Sequence, residues 1–301
     1  MKKLEIIEGS ALDCLKNIDS CSVDLIIADP PYNLGKNYGN NSDQKTFDDY
    51  LTFSRSWIKE AHRILKPAGT IYLFMGVRFI SYIYALLEQE YNFVFNSWIT
   101  WHYTQGLGKT KGFSPRHDDI LMFTKTPTYK FFLDNIRIPQ KYYRSINNMR
   151  GANPGDVWMF SHVHYCNVNR QEHPTQKPEG LIERMVLASS EENDFIVDPF
   201  SGSGTTLRVC QQLNRNCLGI ELNPQYVQLT RERLNQPFDG FDSVDERMER
   251  IPNDLTDIQI RDGYLNNHKI WFLTHHPVQG FENEVRKKYG VNQTELDLFK
   301  K

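Results

Sequence analysis

Short apolar runs alternate along the chain with longer stretches in which apolar residues recur at helical spacing. The runs Leu4 to Ile7, Val23 to Ala28, Thr70 to Met75, Phe93 to Trp101, Ile120 to Lys125, Phe195 to Asp198 and Cys217 to Glu221 predict strands. Between Thr46 and Leu65 the residues Phe47, Leu51, Trp57, Ile58, Ala61 and Leu65 share a helical face, and Lys66-Pro67-Ala68-Gly69 stops the run. Strands alternating with such helices predict an α/β, doubly wound domain.

Composition changes this picture little. A chain of 301 residues, 40% hydrophobic, can bury one substantial core. No apolar run is long enough to span a membrane and no charged amino-terminal stretch leads into one, so the expectation is a cytoplasmic protein without membrane contact. Five cysteines, with no CxxC pair, argue against a disulfide framework. His162, His164 and Cys166 alternate along the chain but lack a fourth ligand nearby, so no metal is expected.

Chemistry concentrates after two of the predicted strands. Asp29-Pro30-Pro31-Tyr32 follows Val23 to Ala28 directly. Two prolines remove two N-H donors and hold φ at about -65°, so the carbonyls here cannot enter a ladder. An Asp carboxylate, a prolyl carbonyl and an aromatic face together suit an exocyclic amino group on a planar heterocycle: two acceptors take its two protons while the ring stacks. A plain Asp-Pro-Pro turn with a packing Tyr is the alternative. The second place is Phe195 to Thr206, a strand running into Gly202-Ser203-Gly204 and a helix beginning near Thr205. With Glu221 ending the next strand, this describes a Rossmann-like nucleoside pocket, although the spacing does not separate a dinucleotide from another adenosyl cofactor.

Taken with His173-Pro174-Thr175-Gln176-Lys177-Pro178, these motifs make residues 4 to 236 resemble the amino-group DNA methyltransferases. Their order, with DPPY before FxGxG, resembles the permuted β-group of that family. The resemblance implies a Rossmann-like S-adenosylmethionine-dependent fold, with a seven-stranded sheet ending in an antiparallel hairpin formed by Phe93 to Trp101 and Ile120 to Lys125. It implies that Asp29, Pro30 and Tyr32 bind and activate the target amine, with Pro31 setting the loop. Asp198, Phe200, Gly202 and Gly204, with Ser201 and Thr205 of the same turn, would hold S-adenosyl-L-methionine. Glu221 would take its ribose, and Thr175 and Lys177 its carboxylate end; Lys177 can also be read as a solvated surface lysine. One departure is Gly9-Ser10, where many relatives have Gly-Asp; Ser10 reads as a helix N-cap.

The implied substrate is double-stranded DNA, and a base inside a duplex must be flipped out to reach such a loop. Asn33 to Gln44, rich in Asn and Gly, would cover it or be a surface loop. In the β-group the recognition region lies before the HPTxKP segment. Here residues 105 to 170 hold ten Lys and Arg against four Asp, in a chain of net charge -2, interleaved with Phe113, Tyr129, Phe131, Phe132, Tyr142 and Tyr143. That balance suits phosphate contact, with a solvated charged face as the alternative. Residues 1 to 237 are therefore expected to form the catalytic domain with 105 to 170 as its inserted recognition region, and 238 to 301 an acidic-rich extension serving as clamp, dimer contact or docking tail.

The expected reaction is methyl transfer to adenine N6 within a restriction-modification system. A homodimer and a cognate restriction endonuclease are candidate partners. Cytosine N4 is the competing target, disfavoured because relatives acting on cytosine more often place serine where Asp29 stands. A catalytically silent DNA-binding subunit is the alternative of another class.

Overall fold

The computed structural model describes residues 3–35, 44–103, 108–139, 150–163, 170–238, 240 and 250–251. The chain divides into two compact units, one of Met1–Phe132 with Asp156–Val244, the other of Leu133–Gly155 with Asp245–Lys301. All of the elements below belong to the first unit.

In chain order they are β1 (Leu4–Glu8), α1 (Ala11–Cys14), β2 (Val23–Ala28), α2 (Phe47–Ile64), β3 (Leu65–Met75), α3 (Ile80–Ala85), β4 (Val94–His102), β5 (His117–Thr124), β6 (Val157–Met159), α4 (Glu179–Ser189), β7 (Phe195–Asp198), α5 (Thr205–Gln212), β8 (Asn216–Glu221) and α6 (Pro224–Leu234). The strands form one sheet in the order β1-β8-β7-β2-β3-β5-β4-β6. β1, β8, β7, β2 and β3 are parallel, whereas β5 runs antiparallel to both β3 and β4.

The strand order places a switch point at β2. From there the chain leaves to one side through β3 and returns on the other through β7, which pairs Leu25 with Ile196 and Ile26 with Val197. Ligands of open α/β sheets bind beyond the carboxyl ends of strands at such a point. β2 is buried along its whole length, as expected of a parallel strand covered on both faces.

α2 begins where Thr46 caps it, accepting from the Asp49 N-H at 3.2 Å. Its buried stripe of Tyr50, Leu51, Trp57, Ile58 and Ala61 joins Ile26, Ala28, Ile71 and Leu73 in one apolar cluster. Lys66 to Gly69 do stop the helix, yet they do so inside β3, which starts at Leu65 without an intervening loop.

The sheet departs from expectation in its eighth strand. β6 pairs parallel with β4 through Thr100 to Val157 and Trp101 to Trp158, so the antiparallel β4–β5 pair is not terminal. Three residues with one buried side chain carry too little periodicity to be read from sequence. β5 lies inside the span 105 to 170 expected to be an insert, so that span is partly core sheet.

Two of its cations are likewise committed to the fold. The Lys125 ammonium donates to the Leu65 carbonyl. Lys130 Nζ lies 2.8 Å from Asp194 and 3.1 Å from Glu191, and 3.7 Å from Asp24, a buried β2 carboxylate that also takes Lys66 at 2.7 Å and the Phe195 N-H at 3.0 Å. This network ties the amino ends of β2, β3 and β7. Lys141, Arg144, Tyr142, Tyr143, His164, Cys166 and residues 252–301 lie outside the described residues. Replacement Lys130→Met is expected to lower stability by about 1–3 kcal/mol in urea unfolding, and an unchanged midpoint would show that this cation does not support the network.

Candidate active site

Beyond the carboxyl ends of β2 and β7 the two motif loops line a single pocket, which includes Asp29, Pro31, Asp198, Phe200 and Glu221. The Asp29 carboxylate is held at both oxygens. Oδ1 accepts from the Tyr32 hydroxyl at 2.8 Å, and Oδ2 is ion-paired with Lys177. The Lys177 ammonium lies 5.7 Å from the Tyr32 ring centroid and 5.0 Å from that of Phe74, so it sits in an aromatic notch beside the acid. The resemblance implied that Lys177 reaches the cofactor's carboxylate; its nearest anion is Asp29.

The DPPY loop is tied from outside as well. Pro31 offers its carbonyl to the buried Tyr50 hydroxyl at 2.9 Å. Gly76, following β3, backs the Tyr32 ring so closely that a Cβ there would lie 3.3 Å from Tyr32 Cδ2. Asn33, at φ 57°, accepts from the Lys45 N-H at 2.7 Å and donates to the Lys45 carbonyl at 2.9 Å. These bonds join the two ends of the segment expected to cover the base; residues 36–43 within it lie outside the described residues.

On the β7 side the chain makes the tight turn its glycines allow. Gly202 and Gly204 have φ of 51° and 74°, in the left-handed region that disfavours side chains. Space forbids a side chain too: a Cβ on Gly202 would lie 2.9 Å from His173 Nε2, and one on Gly204 2.4 Å from Thr230 Cγ2. Phe200 is wedged against Trp57 and Phe53, with ring centroids at 5.4 and 6.1 Å. Ser201 lines the pocket, but its Oγ points toward β8, where a Cβ on Gly219 would meet it at 2.7 Å.

Glu221 ends β8 and reaches back to this turn. Its two oxygens accept from the Gly202 N-H and the Asn223 N-H, each at 2.8 Å, and burial raises its pKa. Asp198 is 5% exposed and accepts from the Phe200 N-H at 3.0 Å. Burial pushes its pKa up to about 7 against a bond from Thr206, and the charges of Asp29 and Glu221 push the same way. Three carboxylates thus face one partly dry pocket, an arrangement suited to a cationic ligand.

The His173–Pro178 segment lies over both loops, each residue with a different task. His173 packs on Gly202 and, edge to face, on Tyr226 at 4.5 Å. Thr175 faces the pocket, and the Gln176 side chain accepts from the Gln171 N-H at 2.6 Å. The Lys177 carbonyl receives the Thr205 hydroxyl at 3.3 Å. Glu179 follows at once and is paired at 2.6 Å with Arg233, which also donates to Ser203 O and Thr205 Oγ1 at 3.0 and 3.1 Å. Arg233 and Glu179 are both buried, so the ion pair braces the turn from beneath.

Ser10 caps α1, accepting from the Leu12 N-H at 3.2 Å, and also lines the pocket. Tyr50, Gly76 and the Glu179–Arg233 pair were not read from the sequence. Tyr50 lies one and two turns before Ser54 and Trp57 on the buried face of α2, a position the pattern could have exposed. The Glu179–Arg233 contact spans 54 residues and leaves no local trace.

Known proteins resemble this chain along most of its length. The profile of the DNA methylase family matches residues 23–232. Over 293 residues the chain is 59% identical to the type II methyltransferase M.HpaI of Haemophilus parainfluenzae, across 96% of this chain and 93% of that protein. It is 37% identical over 244 residues to the DNA adenine methyltransferase YhdJ of Escherichia coli K12, across 76% of this chain and 82% of that one. The solved complex of M1.HpyAVI with SAM aligns at TM-score 0.58 and 27% identity, covering 77% of this chain and 99% of its own. The PvuII cytosine-N4-specific DNA methyltransferase, at 18% identity and TM-score 0.63 over 89% of this chain and 93% of its own, shares the fold. Because the matched profile begins at the first residue of β2 and ends within α6, it takes in both loops of the crevice, and the chain belongs to the DNA methylase family.

Proposed function

We propose that this DNA methyltransferase moves the methyl group of S-adenosylmethionine to the exocyclic N6 of an adenine flipped out of double-stranded DNA, as the modification half of a restriction system. A cognate endonuclease is the partner this reading implies. The observation that carries it is the Asp29 carboxylate, fixed by Tyr32 and Lys177 at the mouth of a pocket whose other wall is the glycine turn.

The pocket residues fit the cofactor. The turn at Gly202 and Gly204 lets backbone approach a ligand closely, Glu221 would accept from a ribose hydroxyl, and the three carboxylates suit a sulfonium and an ammonium. When bound, S-adenosylmethionine supplies an electrophilic methyl group. The protein's part is then alignment and lone-pair availability.

Each Asp29 oxygen keeps a lone pair after its bond to Tyr32 or Lys177. One amino proton is accepted there and the other by the Pro30 carbonyl, leaving the nitrogen lone pair directed at the methyl group. With the cofactor bound and its sulfonium supplying the methyl group, Asp29 would stabilise the positive charge that grows on the nitrogen, and the proton that the nitrogen must shed would leave by way of the Asp29 carboxylate to solvent. The Tyr32 face stacks on the base and offsets part of the unstacking cost of a few kcal/mol. Aspartate at position 29 supports adenine over cytosine, as does the likeness to a protein named a DNA adenine methyltransferase.

Incubation with labelled S-adenosylmethionine and mixed-sequence duplex, followed by digestion to nucleosides, is expected to yield N6-methyldeoxyadenosine. N4-methyldeoxycytidine would keep the chemistry and change the base. Asp29→Ala is expected to reduce that yield by roughly 10²–10³-fold with cofactor affinity retained, and near-normal turnover would remove the mechanism.

Asp198 gives a second test through pH. Its pKa in the fold, about 7, lies above its ordinary 3.8. Its contribution to stability is therefore fully present below pH about 4 and lost as pH rises through about 7, on the order of 4 kcal/mol in all. Asp198→Asn is expected to raise the thermal midpoint at pH 8 and leave it nearly unchanged at pH 4, while weakening cofactor binding. An equal shift at both pH values would show that the pKa of Asp198 is not raised in the fold.

A further inference from the structure

We propose that Tyr50 is a positioning residue for methyl transfer, acting through the Pro31 peptide; this rests on the methyltransferase reading above. Pro30 and Pro31 supply no N-H groups, so the loop cannot anchor itself in the sheet, and ring closure fixes φ at both. Rotation about ψ of Pro31 is still open, and it sets where the chain delivers Tyr32. The Tyr50 hydroxyl closes that freedom by donating to Pro31 O at 2.9 Å.

Tyr50 is itself firmly placed. It is 1% exposed, its ring lies 4.3 Å from that of Phe79, and its carbonyl accepts from Ser54 Oγ at 2.8 Å. Its hydroxyl also lies 3.5 Å from Met75 Sδ, at the end of β3. The apolar stripe of α2 would be served equally by phenylalanine. A buried hydroxyl is costly unless bonded, so its value at this position lies in the bond it makes.

Seen from the loop, three contacts act together. Tyr50 holds the peptide before Tyr32, Gly76 backs the Tyr32 ring, and the Tyr32 hydroxyl returns to Asp29 Oδ1. Loosening the first should therefore misdirect the acceptor pair and the stacking face; Tyr50 also lines the pocket, so the saturated transfer rate is the readout that separates this role from cofactor binding. Methyl transfer depends on such alignment more than substrate affinity does.

The test is Tyr50→Phe in the full chain, measured by single-turnover methylation of duplex DNA that the wild type methylates, at saturating S-adenosylmethionine. The expected result is a transfer rate about fivefold to twentyfold slower, with cofactor Kd, DNA Kd and thermal midpoint close to wild type. Gly76→Ala, whose added Cβ would lie 3.3 Å from Tyr32 Cδ2, is expected to slow the same step, and the double variant to lose less than the product of the two. An unchanged transfer rate per cofactor-binding site overturns the proposal, as does a raised cofactor Kd with a normal saturated rate. If Tyr50→Phe does not fold, a normal transfer rate in Gly76→Ala overturns it instead. Absence of any methylated nucleoside with the wild type would sink the methyltransferase reading itself, a result separate from these.

Discussion

Everything at the catalytic crevice depends on the pairing of β2 with β7. Their shared register brings Asp29 and Asp198, 169 positions apart in sequence, to the same edge of the sheet. Neither loop contains both halves of the chemistry. One carries rigid acceptors and an aromatic face, the other a backbone able to lie against a nucleoside. The pairing of β2, buried on both faces and tied to β7 where Asp24 accepts from the Phe195 N-H, is therefore what makes the two loops one site.

The crevice gathers negative charge as a result. Asp29, Asp198 and Glu221 are brought together with Lys177 set against Asp29 only. Asp198 has no cationic partner among the groups that shift it, and its raised pKa reflects that burial. Such an arrangement weakens the fold locally and favours a positively charged occupant. The surrounding scaffold offsets the loss elsewhere, through the Asp24 network at the opposite ends of the strands and the Glu179–Arg233 brace.

Much of this was legible in the sequence because it is local. The strands before Asp29 and Asp198 are apolar runs, α2 follows helical spacing, and glycines at 202 and 204 mark a turn that the structure makes at positive φ. What escaped reading is tertiary. The resemblance gave Lys177 to the cofactor's carboxylate end; that its ammonium also pairs with Asp29 on the other loop is something only the folded distance reveals. Counting Lys125 and Lys130 toward a nucleic-acid surface failed for a similar reason: a lysine that neutralises buried carboxylates looks no different, in sequence, from one that faces solvent. β6 was too short to announce itself.

The reversed direction of β5 has an architectural consequence. Since β4 ends and β5 begins at the edge where Asp29 stands, the connection between them starts and finishes on the catalytic side. It carries the exposed Lys109 and Lys111 and the fully exposed Phe113. A chain joining two parallel strands must cross the whole sheet, and its length is constrained by that crossing. This one need not cross anything, so it can lengthen, shorten or change composition without disturbing the strands that hold the chemistry. The fold thereby separates the strands that hold the crevice from a connection whose length they do not constrain.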